Sequence, residues 1–350
     1  MPGGWWFPIV PTNVETLVRG SRATPVTVGE ARTGTAVDAD AVVRAEHLTK
    51  RFGDLVAVDD LGFTLGRGTV TGFLGPNGAG KTTTLRMLLG LVEPTTGRAL
   101  VLGDCYAKLD RPADRVGAVL EAADFHPGRS GRDHLCALAL ALGQGAGADS
   151  SFRGRERSAG QRADAALELV ELSRAARRRV GSYSLGMRQR LGLAGALLGD
   201  PELLILDEPA NGLDPEGVRW LRGFLRGFAA EGKTVVVSSH ALAEVEQTVD
   251  QVLIINKGRL VDFSPLPELT ARLSGGVRVR APGAARLQSA LASEGISSTL
   301  DGAGVLRVDG ASSARVGEIA YRCGVPLHEL VPETSTLEDV FLELTTEETT

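Results

Sequence analysis

The chain has 350 residues, of which 43% are hydrophobic and 23% are charged, and its mean hydropathy is +0.03. These values are typical of a globular protein with a sizeable core and exclude wholesale disorder. A net charge of -5 disfavours nucleic acid as a partner, because that affinity depends on lysines and arginines that neutralise phosphates. No stretch reaches the roughly 18–20 apolar residues that cross a bilayer, and the three cysteines form no C-x-x-C pair. We therefore expect a cytoplasmic protein without a disulfide framework or a zinc site.

The first part of the chain is irregular and is followed by strands and one helix. Residues 1–40 show neither helical nor strand periodicity, so we expect a poorly ordered extension. Alternation over 42–65 predicts strands with turns at Gly53 and at Asp59–Asp60. A further strand, a glycine-rich loop and a helix are predicted over 70–74, 75–80 and 81–89.

The middle of the chain alternates helices and strands. Residues 131–200 are predicted to be mostly helical, interrupted by a polar loop over 143–161. Two apolar strands, over 203–206 and 235–238, then bracket an amphipathic helix over 216–229. This alternation predicts an α/β fold of three layers with a largely parallel sheet.

The sequence changes in character after Pro265, where short strands and helices replace the longer elements. Three strands and two helices are predicted over 277–280, 297–300, 305–308, 284–293 and 313–323. A fourth strand near 325–330 would complete a β-α-β-β-α-β unit, for which a ferredoxin-like arrangement is the candidate, and a helix over 336–344 would follow. The expected domains are an extension at 1–40, an α/β domain at 41–265 with a helical part at about 125–200, and a small α+β domain at 275–345.

One glycine-rich segment matches a phosphate-binding motif. Residues 75–82 have the sequence G-P-N-G-A-G-K-T, which fits G-x-x-x-x-G-K-[ST] between a predicted strand and a predicted helix. Glycines allow successive backbone N–H groups to face phosphate oxygens, and the helix N-terminus adds its positive dipole. We expect Lys81 to contact the β- and γ-phosphates and the Thr82 hydroxyl to bind magnesium. The candidate binding residues are Gly75, Pro76, Asn77, Gly78, Ala79, Gly80, Lys81, Thr82 and Thr83.

A second, acidic element follows a buried strand. Residues 203–206 are all apolar, as expected of a central parallel strand that is covered on both faces. Asp207 therefore falls at the carboxyl end of that strand, where α/β sheets bind ligands, and we expect it to hold magnesium through water. Glu208 is expected to orient or deprotonate the attacking water. The alternative interpretation is a solvated acidic turn before Pro209.

Over residues 42–265 the chain resembles the ATP-binding cassette (ABC) transporter ATPases. Residues 183–189, with the sequence Y-S-L-G-M-R-Q, are similar to the family signature L-S-G-G-Q and retain its serine and one glycine. The resemblance implies a P-loop NTPase core with an antiparallel β part and a helical subdomain. It also implies that Ser184 and the Gly186 N–H contact the γ-phosphate of ATP held by a second subunit. A simple helix cap is the alternative for Ser184. The S-L-G-M sequence is similar to that of drug and lantibiotic exporters.

Three other positions support the resemblance. His240 follows a predicted strand and resembles the switch histidine that hydrogen-bonds the γ-phosphate. Asp214 ends an N-G-L-D segment that resembles the D-loop, which crosses to the partner subunit beside the nucleotide. Phe52 stands where the family usually has an aromatic that stacks on adenine. Purely structural roles are the alternatives, namely a strand-end histidine, a turn aspartate and a core phenylalanine.

One position departs from the family pattern. The family has a glutamine that binds magnesium and links the nucleotide to the membrane partner, whereas this sequence has Glu121. A carboxylate binds magnesium more strongly than an amide does but repels phosphate, so either the metal mediates or Glu121 is protonated. With a glutamate at this position, the sequence resembles the bacitracin and lantibiotic self-resistance exporters. We expect Glu121→Gln to keep ATP binding and to alter transport coupling.

The resemblance implies an ATPase that powers transport, most readily the export of a drug, a peptide antibiotic or an ion. Two cassettes, expected to be a homodimer, would enclose ATP and Mg²⁺ and act on a separate transmembrane permease at the inner face of the membrane. The groove near residues 121–132 is the candidate docking site, with Phe125 and Pro127 as apolar contacts. Two alternatives are a soluble ABC ATPase of translation or DNA repair and a nucleotide switch that does not hydrolyse ATP.

Overall fold

A computed structural model describes residues 40–120, 125–143, 152–240, 246–273, 276–301 and 304–332. The predictions for residues 1–39, for Glu121 and for a helix over 336–344 lie outside these residues. The chain divides into two compact units, which are described separately. The first comprises Met1–His240 and Gln247–Phe263, and the second comprises Ala241–Glu246 and Ser264–Thr350.

The first unit contains nine strands and six α-helices among its described residues. Its strands are β1 (Ala41–Phe52), β2 (Leu55–Gly66), β3 (Val70–Leu74), β4 (Thr96–Val101), β5 (Val116–Val119), β6 (Leu203–Leu206), β7 (Thr234–Ser239), β8 (Gln251–Asn256) and β9 (Arg259–Pro265), whose last two residues fall in the second unit. Its helices are α1 (Lys81–Leu88), α2 (Pro112–Arg115), α3 (Gly131–Ala141), α4 (Phe152–Leu169), α5 (Leu185–Ala196) and α6 (Pro215–Ala230).

Strands β1, β2 and β4 form an antiparallel sheet in the order β2-β1-β4. The predicted turn at Gly53 joins β1 to β2, but the predicted turn at Asp59–Asp60 is wrong because both residues lie inside β2. Leu48 pairs with Leu61 and Lys50 pairs with Val58, so β2 carries an extra residue at this point. Asp60 has a φ of 53°, the left-handed conformation that aspartate tolerates in bulges as well as in turns.

The second sheet of this unit has six strands in the order β5-β6-β7-β3-β8-β9. Four neighbouring pairs are parallel, which confirms the predicted largely parallel α/β core. Every residue of β3, β6 and β7 is buried, because helices or the antiparallel sheet cover both faces. Helix α1 shares one core with residues of both sheets, including Leu48, Leu85 and Ile205.

The helical region departs from prediction at one boundary. Residues 143–161 were expected to form a polar loop, but α4 begins at Phe152. The segment contains glycines and serines that are typical of loops, whereas its second half carries arginine and glutamate, which also favour helices. Within the described part of the chain, every helix is too short or too polar to span a bilayer.

The register of the parallel sheet positions the candidate site. Leu74 at the end of β3 pairs with Ser239 at the end of β7, and Leu206 at the end of β6 pairs with Val237. The chain therefore leaves β3, β6 and β7 at one edge of the sheet. The glycine-rich loop, the acidic pair and His240 all begin at that edge.

The second unit is a small α+β domain. Its described elements are α7 (Leu266–Leu273), β10 (Val277–Arg280), α8 (Ala284–Ser293), β11 (Ser298–Leu300), β12 (Val305–Val308), α9 (Ser313–Arg322) and β13 (Glu329–Pro332). The antiparallel order β11-β12-β10-β13 corresponds to 2-3-1-4 in a β-α-β-β-α-β unit, which is the ferredoxin-like order. The last strand begins at Glu329 rather than near Val325, because Val325 instead packs into the core from the preceding loop.

Candidate nucleotide-binding site

The glycine-rich loop is packed so closely that two of its glycines have no room for a side chain. A Cβ on Gly75 would lie 2.6 Å from the Ile255 carbonyl oxygen, and one on Gly80 would lie 2.4 Å from the Ala57 carbonyl oxygen. Gly80 also has a φ of 104°, a conformation that L-residues rarely adopt. It is the N-cap of α1, so the loop delivers the chain directly onto a helix N-terminus. This geometry suits close approach of an anion to the backbone.

The side chain of Lys81 lies across this loop. Its Nζ donates to the Gly75 carbonyl at 2.6 Å and to the Pro76 carbonyl at 3.3 Å, and lies 3.6 Å from Oε1 of Glu208. The side chain is only 6% exposed. Burial lowers the pKa of Lys81 below its ordinary value, although the charges of Glu208 and Asp207 oppose that change. The ammonium group is thus held at the centre of the predicted phosphate site.

Asp207 is buried beside the start of α1. One of its oxygens accepts a hydrogen bond from the Thr82 hydroxyl at 2.7 Å, and the other accepts from the Ser238 hydroxyl. The Thr82 hydroxyl and the Asp207 carboxylate, two oxygen ligands of the type that magnesium prefers, therefore converge. Mg²⁺ commonly uses few protein ligands together with substrate phosphates and water. No cluster of three or more His, Cys, Asp or Glu suited to a metal occurs among the described residues. The site fits a metal shared with a nucleotide rather than a metal caged by the protein.

Glu208 is constrained through both its backbone and its side chain. Its φ of 49° is left-handed, and its N–H donates to the Ser238 hydroxyl at 2.8 Å. Oε2 lies 2.6 Å from both Asn211 Nδ2 and His240 Nδ1. Burial acts to raise the pKa of Glu208, but the hydrogen bonds from Asn211 and His240, with the charge of Lys81, outweigh it and lower the pKa. The carboxylate is therefore ionised and oriented at neutral pH.

Known proteins are similar to this chain in sequence. A family model described as ABC transporter matches residues 58–211, and one described as a domain of unknown function, DUF8746, matches 275–338. The chain is 41% identical over 233 residues to the bacitracin transport ATP-binding protein BcrA of Bacillus licheniformis, covering 66% of this chain and 72% of that protein. It is 35% identical over 308 residues to the uncharacterized ABC transporter ATP-binding protein YhcH of Bacillus subtilis, covering 87% and 96%.

The chain belongs to the ABC transporter ATP-binding proteins. A solved structure of an ATP-binding subunit of an ABC transporter agrees with the fold, with a TM-score of 0.56 and 27% identity over 66% of this chain and 92% of that one. The predicted P-loop NTPase fold, ATP binding and ATPase activity of a transporter subunit are confirmed by this membership. The alternatives of translation, repair or a switch without hydrolysis find no support among these relatives.

The signature and D-loop residues of the cassette lie at two helix starts. Ser184 is the N-cap of α5 and accepts a hydrogen bond from the Met187 N–H, so the helix-cap alternative describes its contact within the chain. Gly186 lies in the first turn of the same helix. Asp214 is the N-cap of α6 and accepts from the Gly217 N–H at 2.8 Å. The contacts of Ser184, Gly186 and Asp214 with a second subunit stay predictions.

Phe52 ends β1 with an exposed ring. The side chain is 49% exposed, which excludes the alternative of a core phenylalanine. The Lys50 ammonium lies 4.9 Å from the ring centroid and also donates to the Glu93 carbonyl. The ring of Phe52 is thus presented at the surface, next to the turn between β1 and β2. Its stacking on adenine stays a prediction.

Two residues that contact Asp207 or Glu208 at this edge of the sheet were not predicted from the sequence. Ser238 joins Asp207 to the Glu208 backbone, and Asn211 contacts the Glu208 carboxylate. A serine at the end of an apolar strand is a weak signal, because such residues are common wherever strands reach the surface. Asn211 lay within the segment that resembles the D-loop, but that resemblance assigned a site role to Asp214 alone.

Proposed function

We propose that this cassette hydrolyses ATP at the edge of the parallel sheet and thereby powers export through a separate permease. The observation that carries this proposal is the position of the Glu208 carboxylate. Three side chains hold it, namely Lys81, Asn211 and His240, where the phosphate loop and two strands meet.

Several residues of the chain bind and orient the reactants in this proposal. Backbone N–H groups of residues 75–82 and the α1 dipole bind the phosphates, while Lys81 exchanges the Gly75 carbonyl for the β- and γ-phosphates. Glu208 accepts a hydrogen bond from the attacking water and takes its proton as the water oxygen bonds to the γ-phosphorus. The bond to the bridging oxygen breaks, and that oxygen leaves with ADP. His240 donates to the γ-phosphate and holds it in line.

Thr82 and Asp207 would hold Mg²⁺ at this site, and Glu121 is the proposed third protein ligand. Bound magnesium neutralises charge that develops on the phosphate oxygens. Thr82 and Asp207 already share a 2.7 Å hydrogen bond, so their oxygens need little rearrangement to face one cation.

The active form proposed for the cassette is a dimer that encloses two ATP molecules. Ser184 and Asp214 are both exposed at helix starts, so they are accessible to a second subunit. In the dimer, Ser184 and the Gly186 N–H contact the γ-phosphate on the partner, and Asp214 lies beside it. Phe52 stacks on the adenine of its own subunit, a contact of about 1–3 kcal/mol by analogy with nucleic-acid stacking.

The experiment that tests hydrolysis at this site compares Glu208→Gln with wild type. Without the carboxylate, we expect hydrolysis to fall at least 100-fold while ATP binding persists, so an ATP-dependent dimer accumulates in light scattering. Glu216→Gln removes an exposed carboxylate from the first turn of α6 and serves as the matched control with unchanged rate. A Glu208→Gln protein with the wild-type rate would exclude Glu208 as the catalytic base.

For the transported compound we propose a peptide antibiotic, because the relative BcrA is a bacitracin transport protein. The permease would contact Phe125, whose ring packs edge-on against His134 at 5.0 Å on the amino-terminal part of α3. A host lacking the gene should become more sensitive to bacitracin, and wild type should restore resistance whereas Glu208→Gln and Phe125→Asp should not. Unchanged sensitivity in that host would reject this substrate. Resistance restored by Phe125→Asp would reject the docking site.

A further inference from the structure

The Glu208 carboxylate has a second hydrogen-bond partner besides His240. Asn211 Nδ2 lies 2.6 Å from Oε2, the same oxygen that His240 Nδ1 contacts at 2.6 Å. A carboxylate only accepts hydrogen bonds, so the amide must present its NH₂ group to Glu208. The other oxygen, Oε1, lies 3.6 Å from Lys81 Nζ. The two oxygens of one catalytic group therefore have distinct environments.

Two donors on one oxygen fix the plane of the carboxylate. A single hydrogen bond would leave the group free to rotate about its terminal bond, a torsion with a broad and shallow preference. With Oε2 held from two directions, Oε1 is directed toward Lys81 and the phosphate loop. The Asn211 amide does not titrate, so its hydrogen bond to Glu208 persists in either protonation state of His240.

The backbone around Asn211 is constrained as well. Its N–H donates to the Glu208 carbonyl at 3.2 Å, so both residues belong to one tight turn. The next residue, Gly212, has a φ of 73° and lies under the Leu185 side chain, where a Cβ would be 2.2 Å from Leu185 Cδ2. The amide is thus presented by a turn with little freedom to move.

We propose that Asn211 is a positioning residue for ATP hydrolysis, which holds Oε2 of Glu208 so that Oε1 faces the attacking water. This inference rests on the proposed function, because it requires Glu208 to be the catalytic base. Asn211 does not contact the nucleotide in this mechanism. It acts by raising the fraction of time that the carboxylate spends in the productive orientation.

The test is a set of Asn211 variants in the full chain. Asn211→Ala removes the donor, Asn211→Asp keeps the shape without the NH₂ group, and Asn211→Ser keeps a shorter donor. We expect kcat to fall about 10- to 100-fold in the first two, the size expected for losing one hydrogen bond to a charged group, and less in the third. The ATP dissociation constant should stay within about twofold of wild type, because the interaction acts on orientation rather than on ground-state binding.

A double-mutant cycle separates positioning from a general structural role. In the Glu208→Gln background, the ATP-dependent dimer should form equally well with Asn211 or Ala at position 211. His240→Ala and Asn211→Ala should be non-additive in kcat, because both residues hold the same oxygen. A wild-type kcat in Asn211→Ala, or an ATP affinity that falls as much as kcat, would overturn the inference. If Glu208→Gln itself hydrolyses ATP normally, the proposed function fails instead.

Discussion

Gly212→Ala is expected to destabilise the cassette through two separate effects. Gly212 has a φ of 73°, and an L-residue in this left-handed conformation costs about 1–2 kcal/mol. Its Cβ would also lie 2.2 Å from Leu185 Cδ2, so the leucine must leave its rotamer at a cost of about 0.5–1.5 kcal/mol. Leu185 is 47% exposed and has space to move, which limits the second effect. The two costs sum to about 1.5–3.5 kcal/mol.

Calorimetric unfolding measures this loss and separates its two parts. For a unit of this size, a loss of about 1.5–3.5 kcal/mol corresponds to a Tm decrease of roughly 3–14 °C. Gly232→Ala is the control for conformation alone, because Gly232 has a φ of 81° and nothing within 4 Å of its Cβ position. Gly223→Ala in α6 controls for the added methyl group and should stabilise by about 0.5–1 kcal/mol.

The steric part should depend on Leu185. Adding Leu185→Ala to the Gly212→Ala protein removes the clash, so about 0.5–1.5 kcal/mol should be regained while the backbone cost remains. If Gly212→Ala and Gly232→Ala lower the Tm equally, the Leu185 contact carries no energy and the reasoning is refuted.

Three other perturbations follow from the same structure. Phe52→Ala should raise the KM for ATP about 5- to 150-fold with kcat unchanged, measured by steady-state hydrolysis, because only a stacking contact is removed. Gly80→Ala should abolish nucleotide binding in an equilibrium assay, since its Cβ would lie 2.4 Å from the Ala57 carbonyl. Burial and the nearby Arg129 lower the pKa of His134 from 6.5 to about 4. Between these two pH values, the unfolded state therefore binds more protons at this histidine than the folded state does. The free energy of unfolding should therefore fall as the pH drops from 6.5 toward 4, by about 1–2 kcal/mol at pH 5 after allowance for solvent screening. In thermal unfolding, His134→Phe should remove this part of the pH dependence.

Much of the fold was predictable because the parallel strands carry an unambiguous pattern. A parallel strand that is covered on both faces carries a continuous run of apolar residues, and β6 and most of β7 show this pattern. The structure places both strands as predicted. The bulge at Asp59–Asp60 was mistaken for a turn because aspartate favours the same left-handed backbone in both. The start of α4 was missed because glycine and serine in its approach match a loop composition.

The site was predictable where its chemistry is contiguous in sequence. Residues 75–82 form one motif, and Asp207 and Glu208 directly follow a buried strand. Ser238 and Asn211 become part of the site only when three strand ends meet, and nothing local distinguishes them from ordinary strand-end or turn residues. The pairing of Leu185 with Gly212 is likewise a contact between two segments, so the leucine in the signature could not be interpreted from the sequence.

The charges at the site impose an order on its chemistry. Lys81 contacts the Gly75 carbonyl and approaches Glu208, and these partners stabilise an ammonium group that burial would otherwise disfavour. Phosphate oxygens can replace both partners only by offering a stronger charge-assisted interaction. In the proposed mechanism, Glu208 then loses its cation but keeps the hydrogen bonds from Asn211 and His240, so the carboxylate becomes available to the water without losing its orientation. In this mechanism, binding of the nucleotide phosphates therefore converts Glu208 from an ion-pair partner of Lys81 into the base that accepts the proton of the water.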